Sequence, residues 1–124
     1  MPQGRILIVE DEALLAMDLQ TTLEQLGYET PQIATTGNEA MEKAARERPD
    51  VALMDVNIHG GMDGIEAARR LNSEFGISII FMTGYSDEDI RARGKTVKHS
   101  AILTKPLNIA KLKSAIESAI REAA

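Results

Sequence analysis

Two adjacent acids, Glu10 and Asp11, a third carboxylate at Asp55, a hydroxyl at Thr83 and an ammonium at Lys105 each follow directly on a short, largely apolar run. Gathered carboxylates can ligate a hard divalent cation, and one of them can act as a nucleophile, while a hydroxyl and an ammonium can hold an oxyanion. Taken singly, each residue has a plain role: an Asp starts a turn, acids cap a helix, a lysine is solvated. Joint chemistry requires that the preceding runs be strands of one sheet, all ending at one rim.

The elements around them meet that requirement. Arg5 to Val9 reads as a strand, and Leu15, Leu19, Leu23 and Leu26 give one face of a helix closed by Gly27. Glu29 to Thr35 is a weaker strand whose Pro31 suits an edge, because proline cannot donate to a ladder. Thr36 and Glu39 have capping-box spacing, and Ala40, Ala44 and Ala45 form a thin apolar stripe on a helix ending before Pro49. Val51 to Met54, apolar without alternation, reads as a strand buried on both faces that delivers Asp55 into a glycine-rich loop. Asp63 and Glu66 repeat the cap, and Ile65, Ala68, Leu71 and Phe75 carry a third helix to Gly76. Ile77 to Met82 is a fourth strand. Ser86 to Asp89 begin a fourth helix that Gly94 and Lys95-Thr96-Val97 cut short. Ala101 to Thr104 is the fifth strand, and Asn108 caps a last helix with Ile109, Leu112, Ile116, Ala119 and Ile120 on one face.

Five strands alternating with five helices imply parallel strands, right-handed crossovers and helices on both sheet faces, a three-layer α/β/α domain. Ligands of such sheets bind outside the carboxyl ends of the strands, where the five polar residues collect. The 124 residues suit a single domain over residues 1–124 with a substantial core. A net charge of -5 disfavours nucleic acid as a direct partner. The absence of cysteine excludes disulfides and thiolate metal sites, and apolar runs of strand length at most argue against membrane insertion. A cytoplasmic location is expected.

With Val9-Glu10-Asp11-Glu12, Met54-Asp55, Asp63-Gly64, Thr83-Gly84 and Lys105-Pro106 in this order, the chain resembles the response-regulator receiver domains of two-component phosphorelay signalling over essentially its whole length. The resemblance implies a flavodoxin-like (βα)5 fold with strand order 2-1-3-4-5, an order for which the chemotaxis member of the family is itself a standard example. It implies Asp55 as phosphoacceptor and Mg²⁺, with Mn²⁺ as a substitute, held by Asp11, Asp55 and the Asn57 carbonyl oxygen, Glu10 acting largely through water. It further implies Thr83 and Lys105 as holders of phosphoryl oxygens, and a cis Lys105-Pro106 peptide that aims the ammonium into the site. The implied partners are a sensor histidine kinase or histidine phosphotransfer protein upstream and an effector or partner domain downstream. Switching would run through the fourth helix, fifth strand and last helix.

Elementary electrostatics agrees. Three carboxylates and one ammonium leave two net negative charges at the rim, so an incoming phosphoryl group is repelled unless a divalent cation balances them. An ionised carboxylate needs no base to attack phosphorus. The product, an acyl phosphate, is reset by water, so the domain is read as self-phosphorylating and autodephosphorylating, without a turnover substrate.

The sequence departs from the common receiver pattern at three places. Ile102 stands where many members carry an aromatic, so a rotating ring cannot report phosphorylation there. His59 replaces a frequent proline, and His59-Gly60-Gly61 lengthens the loop by one residue; His59 is read as a loop residue and His99 as a neighbour of the fifth strand. Tyr85, two residues past Thr83, either limits water access to the acyl phosphate or merely covers the loop. The segment Phe81 to Tyr85 also resembles a receiver subgroup with Phe-x-Thr-Gly-Tyr. A haloacid-dehalogenase-like phosphatase would need an Asp-x-Asp run that Val9-Glu10-Asp11-Glu12 lacks. A nucleotide or flavin binder would want a phosphate cradle where these acids stand. The remaining alternative is a receiver-like interaction module that works without phosphorylation, and the chain reads equally as a free-standing relay or a module of something longer.

Overall fold

The computed structural model describes residues 4–58, 60–84, 92, 97–99 and 101–123, with backbone alone at 30, 31 and 123. Five parallel strands, β1 (Arg5–Val9), β2 (Glu29–Ala34), β3 (Val51–Asp55), β4 (Ser78–Thr83) and β5 (Ala101–Thr104), lie in the order β2-β1-β3-β4-β5. The described helices are α1 (Ala13–Gln25), α2 (Gly37–Glu47), α3 (Gly64–Phe75) and α4 (Ile109–Ala123), the last of the chain. The fourth helix expected after Ser86 falls almost wholly outside the described residues.

The sheet is central because its middle strands are apolar on both sides. Every residue of β3 is buried, as are Ile6 to Val9 and Ile79 to Thr83. One face joins Leu7, Val9, Ala52, Met54 and Phe81 to Ala40 and Ala44 of α2 and Ile65, Ala68 and Leu71 of α3. The other joins Ile6, Ile8, Leu53, Ile80 and Met82 to Ala16 and Leu23 of α1 and Leu112, Ile116 and Ala119 of α4. Burying a large aliphatic side chain contributes about 2 kcal/mol, so these two layers are the main stabilising term. Pro31 lies in edge strand β2, as expected, and the β1–β2 register slips between Arg5 and Leu7 where the backbone loses a donor.

Two expectations are adjusted. The α1 stripe is not the four leucines alone: Ala16 and Leu23 are fully buried, Leu19 and Leu26 pack beside them, and Leu15 is 44% exposed. Ala16 faces the sheet where α1 crosses it, and Leu15 lines a groove shared with Leu19, Pro106, Leu107, Ile109 and Leu112. The fourth strand also runs one residue further than its apolar run and includes Thr83, which is paired with Thr104. No described helix is long and apolar enough to cross a membrane.

Candidate functional site

Register brings the site residues together. Val9 of β1 lies opposite Met54 of β3, so Glu10 comes alongside Asp55 one step later. Asp55 in turn pairs with Met82 of β4, and Thr83 with Thr104 of β5, one residue before Lys105. A short bond from the Lys105 N–H to the Thr83 carbonyl (2.7 Å) continues that ladder past the strand ends. The Lys105–Pro106 peptide is cis, as the resemblance implied.

The side chains converge accordingly. Lys105 Nζ donates to Glu10 Oε2 at 3.0 Å and to Asp55 Oδ2 at 3.1 Å. Carboxylate oxygens of Glu10, Asp11 and Asp55 lie within 4.8 Å of one another. Glu10, Asp55 and Thr83 are buried and Asp11 half-buried, an arrangement that a core tolerates only when the charges are compensated. Backbone donors supply part of that compensation: Asn57 N–H donates to Asp55 Oδ1 (2.9 Å) and Glu12 N–H to Glu10 Oε1 (3.2 Å). At Gly64 an added Cβ would overlap the Asp55 carbonyl oxygen and approach Val56 Cα to 2.9 Å, so only glycine lets α3 start against the end of β3.

Electrostatics shows how crowded the acids are. Burial, aided by the neighbouring Asp55, pushes the Glu10 carboxyl up to about 7, and the Lys105 ammonium only partly opposes the rise. Burial alone would lower the Lys105 ammonium, yet its hydrogen bonds to Glu10 and Asp55 and their charges outweigh that and hold it above its ordinary value. A donor set made wholly of oxygens, too negative for one lysine to balance, fits a hard divalent cation. Thr83 is buried, and among the described residues its hydroxyl donates a long bond to the Gly84 carbonyl, 3.4 Å.

All residues singled out from the sequence for this rim that the structure describes are found there: Glu10, Asp11, Asp55, Asn57, Thr83 and Lys105. His59 and Tyr85 lie outside the described residues. His99 stays beside the fifth strand, its Nδ1 2.6 Å from the Val97 carbonyl and its ring edge-on to Phe81 at 5.5 Å. What the sequence reading missed is the direct ion pair between Glu10 and Lys105, residues 95 apart in the chain, for which strand register is the sole signal.

Residues 6–117 match the model of the response regulator receiver domain. The chain is 40% identical over 116 residues to the transcriptional regulatory protein PdtaR of Mycobacterium tuberculosis, covering 94% of this chain but 56% of that protein. It therefore spans about half the length of that relative. It is 33% identical over 118 residues to sporulation initiation phosphotransferase F of Bacillus subtilis, with 94% of both chains covered. Among solved structures, the signal receiver domain of a modulated diguanylate cyclase from Desulfovibrio desulfuricans superposes with a TM-score of 0.91 at 38% identity, covering 97% of this chain and 95% of that one. On these grounds and on its fold, the chain belongs to the response regulator receiver family, whose general function is phosphoryl transfer in two-component signalling.

Proposed function

We propose that residues 1–124 form one receiver domain in which Asp55 accepts a phosphoryl group from a phosphohistidine donor, a sensor histidine kinase or a histidine phosphotransfer protein. The observation that carries this reading is the bridge from Lys105 to both Glu10 and Asp55 beside the Asp11 carboxylate. Asp11, Asp55 and the Asn57 carbonyl would hold Mg²⁺, with Mn²⁺ as a substitute, and Glu10 would act through water. Bound there, the cation supplies charge neutralisation for the incoming phosphoryl oxygens.

The remaining chemistry belongs to the chain. Asp55 is held by the Asn57 N–H on one oxygen and by Lys105 on the other, so the carboxylate is oriented before a donor arrives. Its oxygen forms the new bond to phosphorus as the phosphorus–nitrogen bond of the donor breaks, and the electron pair leaves with the imidazole. Lys105 then follows the new charge onto a phosphoryl oxygen, and the Thr83 hydroxyl exchanges its long bond to Gly84 for another. Water attack at phosphorus later returns the carboxylate and inorganic phosphate.

Ile102 is packed against the core, with no ring to rotate, so the signal leaves through the backbone. The Thr83–Thr104 pairing and the Lys105 N–H to Thr83 carbonyl bond couple the reacting loop to β5 and hence to an effector or partner domain. The cytoplasm, where phosphohistidine donors are charged, is the proposed location.

The test is exposure to phosphoramidate with and without Mg²⁺, read by intact mass. Wild type should gain one phosphoryl group only with Mg²⁺, and Asp55→Asn should gain none. An unmodified wild type, or equal labelling of Asp55→Asn, would overturn the reading.

A further inference from the structure

The β3–α3 loop, from Val56 to Asp63, carries the Asn57 carbonyl and is one residue longer than usual, yet both its ends are fixed. At one, Asn57 N–H is bonded to Asp55; at the other, Asp63 caps α3 by accepting from Glu66 N–H at 2.8 Å. Of its other described residues, Gly60 and Met62 lean on the start of α2. Met62 is packed against the core on Gly37, the first residue of α2, and Gly60 comes near Thr36, where an added Cβ would be 3.6 Å from Thr36 Cγ2.

Gly37 is buried and has no left-handed backbone, so conformational freedom does not explain a glycine there. Alanine is intrinsically a better helix former than glycine. Space explains it: a Cβ at Gly37 would stand 2.9 Å from Met62 Cβ and 3.1 Å from the Met62 carbonyl oxygen. Neither is the far end of a flexible side chain, so backbone has to move. The side that yields is the loop, because the start of α2 is locked. Thr36 accepts from Glu39 N–H at 3.1 Å, Glu39 accepts from Thr35 N–H at 2.9 Å, and Ala40 and Ala44 are wholly buried behind them.

We infer that the first turn of α2 is the seat of the β3–α3 loop, and that Gly37 is a positioning residue that sets the place of the Asn57 carbonyl toward the cation. The inference rests on the proposed reading of Asp11, Asp55 and Asn57 as the groups that hold it. Gly37 touches neither cation nor phosphoryl group; it acts through Met62.

The experiment is a calorimetric titration of the metal-free protein with Mg²⁺ alone, with thermal melting as a control for folding. Gly37→Ala should keep a cooperative melt but bind Mg²⁺ about tenfold more weakly, the scale at which groups supporting metal ligands act. Gly37→Ala with Met62→Gly, which removes the colliding Cβ, should recover most of the loss. Wild-type affinity in Gly37→Ala, or no recovery in the pair, overturns the inference. Should Gly37→Ala alone fail to fold, the pair decides: a folded protein with near wild-type Mg²⁺ affinity supports the seat, and a pair that binds weakly or does not fold refutes it. Asp11→Asn separates the two levels. If it leaves Mg²⁺ affinity unchanged, the reading of the site itself fails; if it abolishes binding while Gly37→Ala binds normally, only the role of Gly37 fails.

Discussion

The start of α1 and the starts of α2 and α3 follow different rules. Thr36 and Asp63 cap α2 and α3 with their own side chains, and Glu39 and Glu66 sit in the first turns, where a helix N-terminus favours negative charge. Glu12 at the start of α1 makes no side-chain cap, and no acid stands in the first turn. The acids that precede it, Glu10 and Asp11, face the site instead. Leu14, Leu15 and Met17 in the following turn are exposed at 82%, 44% and 57%. The starts of α2 and α3 are therefore built for stability, whereas the start of α1 follows on acids that are turned to the rim.

The largest effect should come from removing the group that makes the acids tolerable. Lys105→Met keeps the aliphatic stem but leaves Glu10 and Asp55 buried without their cation. Breaking a buried pair from one side costs about 3 kcal/mol. Lys105 is 29% exposed, so the expected loss is nearer about 2 kcal/mol, measured by urea unfolding without metal. Added Mg²⁺ should restore part of that stability, since a ligand bound only by the folded state stabilises it. A Lys105→Met variant as stable as wild type without metal would show that the acids need no compensation, and the contrast between the helix starts would lose its cause.

A smaller effect should separate the caps directly. Thr36→Ala removes the acceptor for Glu39 N–H and should cost about 1 kcal/mol. Glu12→Ala, at the equivalent position of α1, removes no cap and should stay within about 0.5 kcal/mol of wild type. Equal losses at the two positions would erase the distinction.

Much of this could be read from the chain because the informative signals are local. Unbroken apolar runs such as Val51 to Met54 mark central parallel strands, and Thr36 with Glu39 or Asp63 with Glu66 mark helix starts by spacing alone. Once the strands are known to be parallel, Asp11, Asp55, Thr83 and Lys105 must share a rim. What stayed hidden depends on register and close approach. Whether Glu10 faces solvent or Lys105 is decided by how β1 pairs with β3, and whether Ala16 or Leu15 faces the core by where α1 crosses the sheet. The contact of Gly37 with Met62 is likewise tertiary, since a glycine at a helix start is consistent with several unrelated causes.

The other end of α1 completes the contrast and gives the smallest effect. There the helix is closed firmly: Gly27, at φ 94°, donates to the Glu24 carbonyl (3.0 Å), and Tyr28 N–H donates to the Leu23 carbonyl (3.0 Å), with the Tyr28 ring packed in the same cluster as Leu23. The Tyr28 hydroxyl is the one buried side-chain polar atom among the described residues with no hydrogen-bond partner. Replacing it with hydrogen removes an unmet donor without changing the ring, so Tyr28→Phe should be stabilising by about 0.5 kcal/mol at neutral pH. Burial, and secondarily the charge of Glu117, hold the phenol above its ordinary value of 10.0, so the folded state favours the neutral form. The stability tied to that proton is fully present below the unfolded value and is lost as pH rises from there through the higher folded value. Wild type should thus lose stability in alkali more steeply than Tyr28→Phe, as urea midpoints across that range would report. Parallel curves, or a variant less stable than wild type at neutral pH, would mean that the hydroxyl has a partner and closes α1 more tightly than its backbone alone.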